Sequence, residues 1–385
     1  MSKEWQRQRF EACIEPVTYT RKILRKDFLA EGAYPVVSQE EDFINGYWDE
    51  EGDLFKVTTP IIVFGDHTKV LKYVDFDFVL GADGVKVLKP REFLSPKFLF
   101  YRLQAVELDS LGYARHYKLL KDLEIDYPAP SEQRRIVGIL DEALEGIATA
   151  KTNAERNLQN ARALFESHLQ SVFAQRGAEW ERVTLQALLK RGWIEDHMDG
   201  NHGGDYPRKE EFIRKGVPYI SANCVDDERI DMSRAKYLSH KRASMLRKGF
   251  AKDNDVLFAH NATVGPVAIL RTKEEKVILG KSLTYYRCDP KHLLPEYLAH
   301  YMRSYGFKTQ YSQVMRQSTR NQVPITKQRE FFHVIPPLEE QKRIIVALNG
   351  LFENTQRLES VYKQKLTALE ELKKSLLHQA FNGVL

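Results

Sequence analysis

Residues 128–147 read PAPSEQRRIVGILDEALEGI, and residues 336–355 read PPLEEQKRIIVALNGLFENT. The two stretches align without a gap at an offset of 208 residues, and the alignment continues to Gln175 and Gly383. Twelve of these 48 paired positions are identical. A gapless match that opens on the same Pro-x-x-x-Glu-Gln-x-Arg-Ile start indicates an internal duplication.

Both copies have the pattern of a long amphipathic helix. Apolar residues recur at spacings of three and four, prolines precede each start, and glutamates lie in each first turn, where the helix dipole favours them. At about 1.5 Å per residue, a helix over residues 131–174 would extend about 65 Å. So long an apolar stripe predicts that the two helices pair as an antiparallel coiled coil. A helix packed only on its own globular block is the alternative.

A weaker repeat runs through the rest of the chain. Trp5 matches Trp180, YPVVS at Tyr34 matches VPYIS at Val217, and LSPKFLFYRL at Leu94 matches LLPEYLAHYM at Leu293. The chain is therefore predicted to comprise head 1 (residues 1–127), spacer helix 1 (128–178), head 2 (179–335) and spacer helix 2 (336–385).

Both heads alternate short β-like runs with turns and short helical stretches. The predicted fold class is α+β: two similar globular domains of mixed α/β structure, joined by two long antiparallel helices that form a coiled coil. The duplication gives this fold an internal pseudo-twofold repeat.

Composition narrows the class of protein. The chain has 385 residues, of which 43% are hydrophobic and 29% charged, and this balance excludes a disordered tail. Its three cysteines form no CxxC pair, so the sequence predicts neither a disulfide framework nor a zinc site. No apolar run approaches 18 residues, and we expect a soluble cytoplasmic protein with no membrane partner.

Charge differs between the heads. Head 1 holds 18 basic and 22 acidic side chains, a net charge of −4, whereas head 2 holds 27 and 19, a net charge of +8. A basic excess is typical of a phosphate-binding surface, and only head 2 has one. Any anion-binding site in head 1 must therefore be a local cluster of basic residues.

Candidate DNA-binding residues lie where basic and amide side chains interrupt the strand pattern. The run from Gln317 to Gln322 combines amide and guanidinium groups, which make paired hydrogen bonds to adenine and guanine edges. A solvated loop is the alternative for each residue taken singly. The candidates are, in head 1, His67, Thr68, Lys69, Lys86, Arg115, His116 and Lys118, and, in head 2, Asn201, His202, Arg208, Lys209, Asn223, Asn261, Thr263, Lys281, Arg316, Ser318, Thr319, Arg320, Asn321 and Gln322.

The sequence does not match the catalytic and metal-binding motifs that some of its segments suggest. The run from Asp196 to His202 lacks a helical His pair, and Gly280-Lys281-Ser282 lacks the first glycine of a phosphate loop because position 275 is Glu. The sequence contains no Gly-x-Ser-x-Gly, no His-Glu-x-x-His and no Asn/Asp-Pro-Pro-Tyr/Phe methylase motif. We therefore predict a chain with no catalytic residues and no bound metal or cofactor.

The paired Pro-x-x-x-Glu-Gln-x-Arg-Ile starts, each opening a long helix after a variable head, resemble the specificity (S) subunit of type I restriction–modification systems. GVPYISAN at Gly216, HNATVG at His260 and VFGDHTKVLKYVDFDF at Val63 are similar to segments of that family's target-recognition domains. The resemblance covers the whole chain.

The resemblance implies a non-enzymatic subunit in which each head recognises one half of a bipartite, asymmetric DNA sequence and the helices set the gap. It implies two methyltransferase (M) subunits as partners, which use S-adenosylmethionine to methylate adenine, and restriction (R) subunits that use ATP and Mg²⁺. Residues at the helix starts would serve the coiled coil or partner docking: Glu132, Gln133, Arg135, Ile136, Glu340, Gln341, Arg343 and Ile344.

Two alternatives to a DNA-reading subunit stay open at this stage. One is a self-sufficient DNA-modifying enzyme with an unrecognised site. The other is a coiled-coil adaptor that binds proteins rather than DNA.

Overall fold

The computed structural model describes residues 5–82, 84–109, 112, 114–175, 177–226, 229–317 and 320–382. It divides into two compact units, of which unit 1 comprises Met1–Asn157 with Tyr362–Leu385 and unit 2 comprises Leu158–Val361. Each unit thus contains one head and a part of each long helix. The domain limits given above for heads and spacers stay predictions.

In its described residues, head 1 is built from short strands with three short α-helices. Its elements are β1 (Gln6–Arg9), α1 (Phe10–Cys13), β2 (Ile14–Glu15), β3 (Lys22–Ile23), β4 (Tyr34–Val37), β5 (Gly46–Trp48), β6 (Leu54–Phe55), β7 (Ile61–Gly65), β8 (Leu71–Val74), β9 (Phe78–Gly81), β10 (Val85–Pro90), α2 (Pro96–Gln104), α3 (Tyr117–Lys121) and β11 (Glu124–Tyr127). One sheet has the order β2-β10-β7-β8, the other has β3-β9-β4-β5 with β6 also on β9, and β1 pairs with β11.

The first long helix, α4 (Pro130–Ala174), leads into head 2. Head 2 contains β12 (Glu181–Thr184), α5 (Leu185–Arg191), β13 (Ile194–Asp199), β14 (Phe212–Ile213), β15 (Val217–Ile220), β16 (Val225–Asp226), β17 (Arg229–Ile230), β18 (Lys236–Leu238), α6 (His240–Ser244), β19 (Phe250–Ala251), β20 (Val256–Asn261), β21 (Thr263–Ile269), β22 (Val277–Leu279), β23 (Leu283–Cys288), α7 (Pro295–Arg303), α8 (Tyr305–Arg316), α9 (Ile325–Gln328) and β24 (Phe332–Ile335). The second long helix, α10 (Leu338–Phe381), follows.

The sheets of head 2 repeat the plan of head 1. One sheet has the order β13-β23-β20-β21, the other has β14-β18-β15-β22-β19, and β12 pairs with β24. In both heads the first sheet ends on an antiparallel hairpin, β7–β8 or β20–β21. The second sheet in both contains a parallel pair, β4–β9 or β15–β22. The predicted α+β fold with an internal repeat is confirmed.

The long helices contribute to the core of each unit. In unit 1, Leu140 of α4 and Phe381 of α10 join the cluster around Phe98. In unit 2, Phe173 of α4 and Leu348 of α10 join the cluster that contains Tyr297 and Phe307. Burying side chains of this size stabilises each head by about 1.5–3 kcal/mol per residue, so a head and its helix ends fold together.

The helices also pair with each other, and they do so antiparallel. In unit 1 the Lys151 ammonium lies 2.6 Å from the Glu370 carboxylate. In unit 2 the Arg162 guanidinium lies 3.0 Å from Glu359, and the rings of Phe165 and Phe352 are 5.4 Å apart. Within unit 2, rising numbers on α4 (Arg162, Phe165) meet falling numbers on α10 (Glu359, Phe352), which confirms the antiparallel pairing.

Candidate nucleic-acid interface

The β20–β21 turn of head 2, which we call tip 2 (residues 260–263), lies beside the chain segment 320–323. The Ala262 amide donates to the Asn321 carbonyl over 2.9 Å, and the Val323 amide donates to the His260 carbonyl over 2.8 Å. Ala262 adopts a left-handed backbone with φ of 65°, which closes this tight turn. The segment that follows α8 is therefore fixed to the hairpin through an isolated antiparallel bridge between Asn261 and Gln322.

His260 holds tip 2 from beneath. Its ring is buried, and Nδ1 donates to the Val323 carbonyl over 3.0 Å. Burial lowers the pKa of His260, so the ring is neutral at physiological pH. The His260 amide also donates to the Ser282 carbonyl over 2.9 Å, which joins tip 2 to the β22–β23 turn that carries Lys281.

A polar cluster surrounds the β22–β23 turn. The buried Asn201 side chain donates to the Lys248 carbonyl over 3.0 Å. Lys248 Nζ lies 2.6 Å from the Asp199 carboxylate and 2.8 Å from His202 Nε2. Lys281 Nζ stands 5.4 Å from the ring centre of Tyr206. These contacts present His202 and Lys281 at the surface, while Asn201 acts as an internal brace.

Tight backbone packing explains one glycine of this cluster. A Cβ on Gly200 would lie 2.1 Å from the Gly280 carbonyl oxygen, far inside contact distance. A side chain at residue 200 would therefore push apart the strand end that carries Asn201 and the turn that carries Lys281.

Head 1 has the same arrangement around the β7–β8 turn, which we call tip 1 (residues 66–69). The His116 amide donates to the Asp66 carbonyl over 2.7 Å, and the Tyr117 amide donates to the Asp66 carboxylate over 2.7 Å. The Asp66 amide donates to the Gly84 carbonyl over 2.7 Å. Lys69 adopts a left-handed backbone with φ of 62°. Tip 1 is thus bound to the segment before α3, as tip 2 is bound to the segment before α9.

The candidates of head 1 gather at this junction. Lys86 Nζ lies 5.2 Å from the ring centre of Tyr117, and Arg115 and Lys118 are exposed on either side of the buried His116. Lys69 Nζ donates to the Leu108 carbonyl over 3.2 Å. All seven candidates therefore lie at or beside tip 1 or on the segment that binds it.

Sequence reasoning missed two residues that support tip 1. Gln39 accepts a hydrogen bond from the His67 amide at 3.2 Å through Oε1, and one from Thr68 Oγ1 at 2.6 Å through its carbonyl. Lys72, only 3% exposed, donates to the Asp42 and Phe43 carbonyls and to Asn45 Oδ1, and so pins the loop that carries Gln39. Burial lowers the pKa of Lys72 to about 8. Sequence offered no signal, because both residues lie in ordinary loop or strand contexts.

A third missed residue is Gln328, fully buried at the end of α9. It accepts a hydrogen bond from the Tyr286 hydroxyl over 2.8 Å and donates to the Val323 carbonyl over 3.1 Å. This amide fixes the far end of the segment that holds tip 2.

The remaining candidates of head 2, other than Thr263 of tip 2, lie apart from these contacts or outside the described residues. Arg208 and Lys209 are exposed in a short helical turn, where the Arg208 amide donates to Glu211 over 2.6 Å. The Asn223 carbonyl accepts from Arg234 over 3.3 Å. Arg316 is exposed at the end of α8, Thr263 is exposed at the start of β21, and Ser318 and Thr319 lie outside the described residues.

The residues predicted for coiled-coil or partner docking separate into two kinds. Gln133, Ile136, Gln341 and Ile344 are buried within their own units. Glu132 pairs with Arg135 at 2.7 Å, and Glu340 with Arg343 at 3.6 Å, on the helix surface. The charged members are thus the ones that a partner could reach.

The described residues contain neither a metal-binding cluster nor a membrane-spanning helix. Within the ranges given above, no group of three or more His, Cys, Asp or Glu side chains could hold a metal ion. In the same part of the chain, every helix is too short or too polar to cross a membrane.

Known proteins with similar sequences share one description. Residues 194–368 match the family model described as type I restriction modification DNA specificity domain. The chain is 19% identical over 283 residues to the type I restriction enzyme EcoBI specificity subunit of Escherichia coli. This alignment covers 70% of the present chain and 60% of that protein. It is 26% identical over 235 residues to the type I restriction enzyme EcoR124I/EcoR124II specificity subunit of Escherichia coli. This second alignment covers 57% of the present chain and 54% of that protein. The chain thus spans less than two thirds of either relative.

A solved structure shares the fold over almost its full length. The solved chain belongs to a structure described as the basis of complex assembly and conformational transition of the type I R-M system. The match covers 99% of the present chain and 98% of the solved one, with a TM-score of 0.72 at 18% identity.

Proposed function

We propose that the chain, whose residues 194–368 match the family model of type I restriction modification DNA specificity domains, is the DNA sequence-recognition subunit of a type I restriction–modification complex. Each head reads one half of a bipartite, asymmetric sequence. The long helices hold the two heads and dock the partner subunits.

The observation that carries this proposal is the matched pair of tips. Each head presents a hairpin turn bound to a second segment, and both elements carry partly or fully exposed basic or amide side chains. Hydrogen-bonding groups on a rigid support are what direct reading of base edges requires. The bonds of Asp66 and His260 supply that rigidity in their respective heads.

The catalytic steps belong to partners in this proposal. Two methyltransferase subunits bind S-adenosylmethionine and methylate adenine, and restriction subunits use ATP and Mg²⁺. The exposed charges at the helix starts, among them Arg135 and Arg343, support docking of these partners. The complex acts in the cytoplasm, where the DNA is.

Methylation mapping tests the proposal. The chain is expressed with and without its methyltransferase partner, and N6-methyladenine is mapped across the host DNA. We expect a two-part motif with a fixed gap that requires both proteins. Methylation by the purified chain alone, given S-adenosylmethionine, would instead identify a self-sufficient enzyme. Absence of salt-sensitive duplex binding by the assembled complex would identify a protein-binding adaptor.

A further inference from the structure

Asn261 and Gln322 face each other across the junction of tip 2. The flanking bonds run from the Ala262 amide to the Asn321 carbonyl and from the Val323 amide to the His260 carbonyl. This pattern makes residues 261 and 322 a non-hydrogen-bonded antiparallel pair, whose Cα atoms are about 4.5 Å apart. Their side chains therefore leave the same face side by side.

Both amides are available to a ligand. Asn261 and Gln322 are partly exposed, and neither side chain has a hydrogen bond to any residue that the structure describes. Other amides nearby are used within the fold, since Gln328 is bonded on both sides and Asn321 donates to the Ala262 carbonyl over 3.4 Å. The pair differs from them in presenting donors and acceptors outward.

The same hydrogen bonds identify the equivalent positions in head 1. The bond from the His116 amide to the Asp66 carbonyl corresponds to the one from Val323 to His260. The bond from Asp66 to the Gly84 carbonyl corresponds to the one from His260 to Ser282. Asp66 thus corresponds to His260, and His116 corresponds to Val323. The residue after Asp66 is His67, which corresponds to Asn261, and the residue before His116 is the exposed Arg115, which corresponds to Gln322.

We propose that positions 261 and 322 in head 2, and positions 67 and 115 in head 1, are equivalent base-reading positions with different specificity. The Asn261–Gln322 pair reads adenine through its N6 and N7 atoms. Arg115 reads guanine through O6 and N7. Amides and guanidinium groups have these respective preferences because their donors and acceptors match those edges of the base in the major groove.

The inference rests on the proposed function, and the experiment separates the two. The bipartite sequence is mapped first, and then each adenine is replaced in turn by 7-deazaadenine, which lacks N7 but keeps base pairing. Affinity is measured for the full chain in complex with its methyltransferase partner. We expect one adenine, in one half-site, at which the replacement weakens binding about tenfold.

Variants assign the effect to the pair. Gln322→Ala should weaken binding of natural DNA about tenfold and remove the sensitivity to 7-deazaadenine. Gln322→Arg should shift the preference at that base pair from A·T to G·C, and Arg115→Gln should make the opposite shift in the other half-site only. Gln313→Ala, which removes an exposed amide on α8, is the matched control and should bind as the wild type does.

Two results would overturn the inference. If every 7-deazaadenine duplex binds the wild-type complex as tightly as natural DNA, the amide pair does not read adenine, although preserved bipartite binding leaves the proposed function intact. If the complex shows no sequence preference at all, both the inference and the proposed function fail.

Discussion

Gln133 and Gln341, which are 208 residues apart, make the same three hydrogen bonds in their own units. Gln133 accepts from the Ser95 amide and donates to the Phe93 and Pro128 carbonyls, at 2.8, 2.9 and 2.9 Å. Gln341 accepts from the Leu294 amide and donates to the His292 and Pro336 carbonyls, at 2.9, 2.9 and 3.0 Å. The glutamine of the repeated Glu-Gln motif is therefore a buried clamp that fixes each long helix to the segment before α2 in head 1 and before α7 in head 2.

Gln341→Leu should destabilise unit 2 strongly. The change leaves the part-buried Leu294 amide and His292 carbonyl and the buried Pro336 carbonyl without their partner, and a buried group left unpaired costs about 1–3 kcal/mol. We expect a loss of at least about 3 kcal/mol in urea unfolding, or failure to accumulate as folded protein. Gln379→Leu, the same change at an exposed position of α10, should cost less than about 0.5 kcal/mol. Equal effects of the two changes would show that the clamp adds nothing.

The sequence predicted the parts of this fold that depend on local patterns. Apolar spacing and the repeated Pro-Glu-Gln start are local, so α4, α10 and their pairing followed from them. The clamp was not predictable, because a polar residue in the first turn of a helix reads as exposed. Only the folded chain brings Gln133 to Phe93, which lies 40 residues earlier.

The candidate site shows the same division. Residues 67–69 and 115–118 were recognisable as basic turns, and the structure brings them together. The correspondence of residues 67 and 115 to residues 261 and 322 was hidden, because loop lengths change the offset between the heads from 208 residues in the helices to 194 at the tips and 207 in the segments bound to them. The support from Gln39 depends on the non-local pairing of β4 with β9, which no short window reports.

Unit 2 should lose stability in mild acid through His333. This ring is fully buried beside Tyr301 and Phe307, and burial lowers its pKa to about 4. Because the pKa of an unfolded histidine is about 6.5, the stabilisation is complete above pH 6.5 and falls as the pH drops toward 4. By pH 5 the loss is about 2 kcal/mol.

His333→Phe tests this origin of the acid sensitivity. The free energy of unfolding is measured between pH 7 and 5. Over this range it should fall by about 2 kcal/mol less in the variant than in the wild type. The variant also loses the bond from Nδ1 to the Phe331 carbonyl, so it should be about 1 kcal/mol less stable than the wild type at pH 7. His240→Ala, at an exposed position, is the control. Parallel pH profiles of wild type and His333→Phe would contradict the prediction.

Lys72→Met should loosen the loop of residues 38–45 without unfolding head 1. Methionine fills the buried volume but leaves the Asp42 and Phe43 carbonyls and Asn45 Oδ1 without the ammonium that binds them. We expect faster limited proteolysis within this loop and weaker discrimination at one half-site, because Gln39 no longer braces tip 1. Lys56→Met, which changes an exposed lysine of the same head, should leave both properties unchanged. Loss of discrimination at both half-sites would point to global damage instead.

The gap between half-sites should respond to paired changes in the long helices. Lys151–Glu370 pairs α4 with α10 in unit 1 and Arg162–Glu359 pairs them in unit 2, so an insertion in α4 needs a matching insertion in α10. Seven residues added to each, between Lys151 and Arg162 and between Glu359 and Glu370, extend both helices by about 10.5 Å, or about three base pairs. Methylation mapping should show a longer gap with both half-sites unchanged. The insertion in α4 alone should reduce stability, and an unchanged gap in the double insertion would refute the spacer role.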